Sequence, residues 1–120
     1  MTTPAKRKGD QGERDIIDLF QQAGFLQAQR ARAGAELDRG DVAGVPDLTV
    51  EVKTWTDFGL SVAKGLADLE REQRNNRTRW GVVFAKRRMK GWVAVMPAEQ
   101  FVALWAHIHR VGQMELPDGP

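Results

Sequence analysis

Glu51 and Lys53 stand on alternate positions of the run Leu48-Thr49-Val50-Glu51-Val52-Lys53. In an extended strand alternate side chains share a face, so this carboxylate and this ammonium project together, about 7 Å apart along the chain. Val50 and Val52 turn to the opposite face, as residues bound for a core do. Charge buried in a sheet is costly unless it is paired or holds a cation. With one more carboxylate beside it, the pair has the make-up of a centre for a divalent cation and a phosphate. The acids hold the ion, the ion activates a water, and the lysine stabilises a pentacovalent phosphate or orients the water. That chemistry is hydrolysis of a phosphodiester. A plain surface ion pair between Glu51 and Lys53 is the simpler alternative.

The second carboxylate is Asp41 or Asp47, both within Gly40-Asp41-Val42-Ala43-Gly44-Val45-Pro46-Asp47. On one continuous strand Asp47 would stand roughly 13 Å from Glu51. Two ligands of one Mg²⁺ each sit about 2.1 Å from it, so that separation is too large unless a bulge or bend intervenes. A hairpin with Val45-Pro46-Asp47 as its loop sets residue 44 opposite 48 and Asp41 opposite Glu51. Cross-strand neighbours lie about 5 Å apart at Cβ. Asp41 is therefore favoured, and Asp47, well suited to a turn after proline, remains the alternative. Hard carboxylate oxygens call for Mg²⁺, for which Mn²⁺ can substitute.

These residues need a scaffold. Asp10 has the makings of a helix N-cap, with Glu13 in capping-box spacing, and Ile16, Ile17, Leu19, Phe20 and Ala23 continue to Gly24. Glu13 starts the stripe that packs on the sheet, so its carboxylate can serve as cap, as a further ligand, or both. A strand is expected over Phe25–Arg32, the hairpin over Val42–Val52, and a helix over about Asp57–Asn75 with Phe58, Val62, Leu66 and Leu69 as its apolar stripe. Strands at Trp80–Ala85 and Trp92–Met96 flank a basic turn, and Pro97 opens a last helix. Phe101, Trp105 and Ile108 of that helix are expected in the core, with an interface as the alternative. His107 and His109 diverge and read as surface residues. The order α, β, β, β, α, β, β, α predicts a single-domain α/β fold, a mixed sheet flanked by helices. Residues 1–9 read as a disordered basic arm, 10–111 as the domain, and 112–120 as a loose tail.

The 120 residues suffice for one domain with a modest core, and 42% hydrophobic with 28% charged content is ordinary for a globular chain. No cysteine is present, which removes disulfides, zinc ribbons and thiol nucleophiles and suits a reducing cytoplasm. The basic N-terminus lacks the apolar core of a signal peptide, and no apolar run reaches membrane-spanning length. A cytoplasmic protein of a bacterium or phage-infected cell is expected, with neither membrane nor small-molecule cofactor as partner. Net charge is only +2, yet the cations cluster: Lys6, Arg7 and Lys8; Arg30, Arg32 and Arg39; Arg71, Arg74, Arg77 and Arg79; Lys86, Arg87, Arg88 and Lys90. Arginine supplies 12 of the 18 basic residues, and its guanidinium suits bidentate phosphate contact. Lys6, Arg7, Lys8, Arg30, Arg32, Lys86, Arg87 and Arg88 are the candidate DNA contacts, Lys86 being the one expected nearest the site.

Taken together, Lys8-Gly9-Asp10-Gln11-Gly12-Glu13-Arg14, Gly24-Phe25, Asp41 and Glu51-Val52-Lys53 resemble the PD-(D/E)XK nuclease superfamily. The likeness is greatest to archaeal-type Holliday-junction resolvases and small phage endonucleases, and covers roughly residues 6–96. It implies a restriction-endonuclease-like αβββαβ core, here with an added strand and a C-terminal helix. It further implies metal ligation by Asp41 and Glu51, catalytic support from Lys53, and a metal-linked role for Glu13. In that superfamily the acid lies on the preceding strand, so the literal Pro46-Asp47 pair departs from the pattern. Gln73 stands where some relatives carry a helical polar residue near the site. The resemblance implies a Mg²⁺-dependent DNA endonuclease, most of all a resolvase of branched DNA acting as a two-fold homodimer. A duplex- or flap-end nuclease and a non-catalytic DNA-binding module are the competing expectations.

Overall fold

A computed structural model describes residues 2–32, 34 and 36–110. Helix α1 runs Pro4–Gln22, longer than expected. Thr3 caps it by accepting from the Lys6 backbone N–H at 3.1 Å, and Pro4 opens the first turn. Asp10 and Glu13 therefore lie inside the helix and cap nothing. Lys6, Arg7 and Lys8 ride on its exposed first turns rather than on a disordered arm. The expected loose tail, 112–120, lies outside the described residues.

Strand β1 is only Gln29–Arg30, because Phe25–Ala28 fold into a turn closed by the Ala28 N–H on the Phe25 carbonyl at 3.1 Å. Next come β2 (Val42–Ala43) and β3 (Leu48–Lys53), then α2 (Phe58–Asn76), capped by Asp57 on the Leu60 N–H. The chain continues through β4 (Trp80–Arg87), β5 (Gly91–Val95) and α3 (Ala98–His109). The five strands form one mixed sheet in the order β1-β2-β3-β4-β5, with β3 and β4 parallel and every other pair antiparallel. This is a single-domain α/β arrangement, and the order of elements is the one expected.

The two faces of the sheet differ in chemistry. On the α1 face, Ile16 and Ile17 pack with Val42, Val50 and Val82, and Phe20, Val52, Phe84 and Trp92 close the cluster. Gly12 permits this approach: a Cβ there would meet Thr54 Cγ2 at 2.5 Å and the Trp92 ring at 3.1 Å. On the α2 face stand Thr49, Glu51, Lys53, Val83 and Ala85 in the register Glu51↔Val83 and Lys53↔Ala85. Here α2 buries Ser61, Gly65, Asp68, Leu69 and Glu72, a largely polar stripe. Phe58, Val62 and Leu66, expected to form that stripe, are only half-buried.

Helix α3 buries none of its residues. Phe101 and Trp105 stack at 5.8 Å and stay about half exposed, as does Ile108, so their expected place in the core is not where they lie. His107 and His109 are exposed, as expected. Among the described residues no helix is long and apolar enough to cross a membrane.

Candidate active site

The hairpin that joins β2 to β3 decides which acid meets Glu51. Val42 pairs with Val50 in antiparallel register, which sets Asp41 opposite Glu51 and residue 44 opposite 48. The Asp41 N–H donates to the Val50 carbonyl at 2.7 Å, and Asp41 Oδ2 accepts from the Val52 N–H at 2.8 Å. One bond fixes the Asp41 backbone to β3 and the other fixes its carboxylate, on the strand that carries Glu51. Asp47 is instead the turn residue, with φ 57°. Its side chain accepts from the Arg79 N–H at 2.8 Å and from the Arg79 guanidinium, tying the turn to the start of β4. That partnership holds the Asp47 carboxyl below its ordinary value and commits both its oxygens to Arg79.

Glu51 and Lys53 share the α2 face, as their alternation with Val50 and Val52 requires. Lys53 Nζ lies 2.9 Å from Glu51 Oε2 and 3.0 Å from Asp68 Oδ2. Burial opposes the charge on Lys53, but hydrogen bonds to Glu51 and Asp68 raise its pKa overall. Trp55 covers the ammonium at 4.9 Å. Asp68 also takes Lys64 at 2.8 Å; burial works against its charge, yet Lys64 and Lys53 together pull its carboxyl down to about 2.

Two carboxylate oxygens near this pairing lack a partner. Glu51 is 4% exposed and Glu72 is 3% exposed, and the Oε1 atom of each is buried without a hydrogen-bond partner. Burial pushes Asp41 up to about 7, with the Glu51 charge adding to the effect. Burial and the same neighbour push Glu72 up to about 10. Both shifts have the same causes, burial and the nearby charge of Glu51, which oppose ionisation of a second acid beside it.

A divalent cation suits this donor set: hard oxygens, two of them with no donor facing them. Among the described residues no three acidic or histidine side chains gather about one point. Mg²⁺ is commonly held by one or two carboxylates, its remaining positions left to water and substrate phosphate, so an open pair fits it.

Glu13 reaches the rim of the site. Burial raises its pKa, and the charge of Asp41 raises it further, but its carboxylate is ion-paired to Arg30 at 2.8 Å. Arg30 also binds Asp10 at 2.9 Å, so this candidate phosphate contact is committed to two acids of α1. Lys6, Arg7 and Lys8 lie exposed along α1. Arg32 lines a groove of about 1220 Å³ with Arg39 and Arg77, between the 31–40 segment and the end of α2. Arg87 and Arg88 are exposed at the β4–β5 turn. Lys86 turns away from the site; it follows Ala85, the partner of Lys53, and lies over Trp92 at 5.6 Å on the other face. Gln73 is likewise remote, bonded to the Thr78 and Arg79 carbonyls and to Gln100.

Asp68 and Glu72 are not among the candidates that local pattern singles out, because the charged half of this helix reads as facing solvent or a ligand. Their signal is the spacing of Ser61, Gly65, Asp68 and Glu72, which lines one face of a helix. No protein-family model, curated protein or solved structure matches the chain.

Proposed function

We propose that the protein is a Mg²⁺-dependent endonuclease that hydrolyses DNA phosphodiesters, with Mn²⁺ able to replace Mg²⁺. One observation carries this reading: the β2–β3 register brings Asp41 beside Glu51 while Lys53 shares the face. In this reading Asp41 and Glu51 hold the cation. A bound cation would supply Lewis acidity to a water and to the scissile phosphate. Lys53, fixed by Glu51 and Asp68, presents a charged donor to the phosphate oxygens as negative charge grows on them. The Val52 N–H holds Asp41 in place, so the carboxylate need not reorganise. Glu13 acts from the rim, through Asp41.

The order of elements and the mixed sheet support a restriction-endonuclease-like topology of the PD-(D/E)XK kind. Branched DNA, above all a Holliday junction, is the substrate we assign, with duplex or flap ends as the second choice. Exposed cations on α1, along the 31–40 groove and at the β4–β5 turn supply the phosphate contacts. A two-fold pair of copies belongs to the same reading, and the exposed apolar residues of α3 are the surface available to it.

The test is cleavage of labelled four-way, flap and linear DNA in Mg²⁺ by the wild type and by Asp41→Asn, Glu51→Gln and Lys53→Ala. Cleavage lost in all three variants is expected. An inactive wild type, or undiminished cleavage by the variants, would sink the assignment.

A further inference from the structure

We propose that the β4–β5 turn is a DNA wedge: Met89 enters between stacked bases while Arg87, Arg88 and Lys90 take the flanking phosphates. This rests on the DNA-cleaving reading above and names the distortion that its substrate must accept.

The turn is built to present one apolar side chain. The Lys90 N–H donates to the Arg87 carbonyl at 3.2 Å, and the Arg87 guanidinium donates to the Lys90 carbonyl at 3.1 Å. These bonds close the loop on Arg88 and Met89. Met89 takes the left-handed conformation, φ 59°, a region that glycine, asparagine and aspartate enter most readily. It is 93% exposed, more than any other large apolar residue described.

A lone exposed methionine is ordinary on a protein surface. This one stands among four cations, Lys86, Arg87, Arg88 and Lys90, and no acid occurs from Trp80 to Ala98. Among the described residues none of the four is ion-paired. An apolar point ringed by free cations complements stacked bases between phosphates, and methionine is one of the side chains that wedge base steps apart.

The turn also lies at the end of the sheet that carries the site. Ala85 pairs with Lys53 in the parallel register, and β4 runs two residues past that pair to Arg87, about 7 Å, before turning. DNA rises about 3.4 Å per base pair, so the tip meets it roughly three base pairs from a phosphate held at Lys53. Bases near a branch point are the easiest to unstack, which suits the junction assigned above.

The test uses the full chain and a four-way DNA junction carrying 2-aminopurine at successive steps beside the crossover, in chelator. Fluorescence reports unstacking, and anisotropy reports binding. Met89→Asn keeps the left-handed turn without the apolar wedge, and Met89→Leu keeps the wedge. The expected result is a fluorescence rise at one step with wild type and Met89→Leu, lost in Met89→Asn although that variant still binds. Arg88→Ala should keep the rise and lower the slope of log affinity against log salt by about one. A wild type that binds without a rise at any step, or a Met89→Asn rise equal to wild type, overturns the wedge and leaves the proposed cleavage standing. A wild type that binds no DNA removes both readings. A wild type that unstacks the junction in chelator but leaves it uncut in Mg²⁺ keeps the wedge and removes the nuclease reading.

Discussion

Asp41→Asn should stabilise the cation-free protein at alkaline pH and leave it nearly unchanged in acid. The Asn side chain retains an oxygen to accept from the Val52 N–H but carries no charge opposite Glu51. Asp41 has its carboxyl raised from an ordinary 3.8 to about 7, so between these values the folded protein binds a proton that the unfolded chain has released. Stability from this group is therefore complete below about pH 4 and declines as pH rises towards 7. Each tenfold difference in proton affinity between the folded and unfolded chain is worth about 1.4 kcal/mol, which puts the loss above pH 7 at up to about 4 kcal/mol. Asp41 shares its environment with Glu51, so a gain of about 2–4 kcal/mol for the variant at pH 8 is the working figure. For a chain of this size that is roughly 8–15 °C in melting temperature. The assay is thermal melting in chelator at pH 4 and pH 8, followed by circular dichroism. A variant no more stable than wild type at pH 8, or equally stabilised at both pH values, refutes the reasoning. Mn²⁺ added at pH 8 should raise the wild-type midpoint and leave the variant where it was.

Asp47→Asn should retain DNA cleavage and the Mn²⁺ response that Asp41→Asn loses, since Asp47 serves Arg79 at the turn; parallel cleavage and melting assays decide it. Gly12→Ala forces a Cβ against Thr54 and Trp92 and should cost about 1–3 kcal/mol, read from urea denaturation at unchanged slope. Trp105→Ser should cost less than about 1 kcal/mol, because the ring is half exposed, whereas a core tryptophan would lose about 3–5 kcal/mol. Sedimentation of the same variant tests the pairing of copies: a wild-type dimer should become a monomer.

Much of the scaffold and the centre of the site could be read from local pattern. Alternation of Val50 and Val52 with Glu51 and Lys53 separates core face from site face, because successive strand residues project to opposite sides. Val45-Pro46-Asp47 marks a turn, and the length of that turn sets the register that brings Asp41 to Glu51. Those are short-range effects, carried by neighbours in the chain.

The surroundings of the site came only with tertiary structure. Charged residues on a helix look solvated until something distant covers them; Asp68 is buried because Lys53, far off in sequence, lies against it. Arg30 looks like a free phosphate contact until α1 presents Asp10 and Glu13 to it. The apolar pattern of α3 resembles a core face, yet the helix lies with that face outward. Alternation and turn chemistry are written residue by residue. Burial and pairing of charge depend on which distant surfaces meet, and in this protein the meeting of α2 with the sheet buries Glu51 and Glu72 with one oxygen of each left without a hydrogen-bond partner.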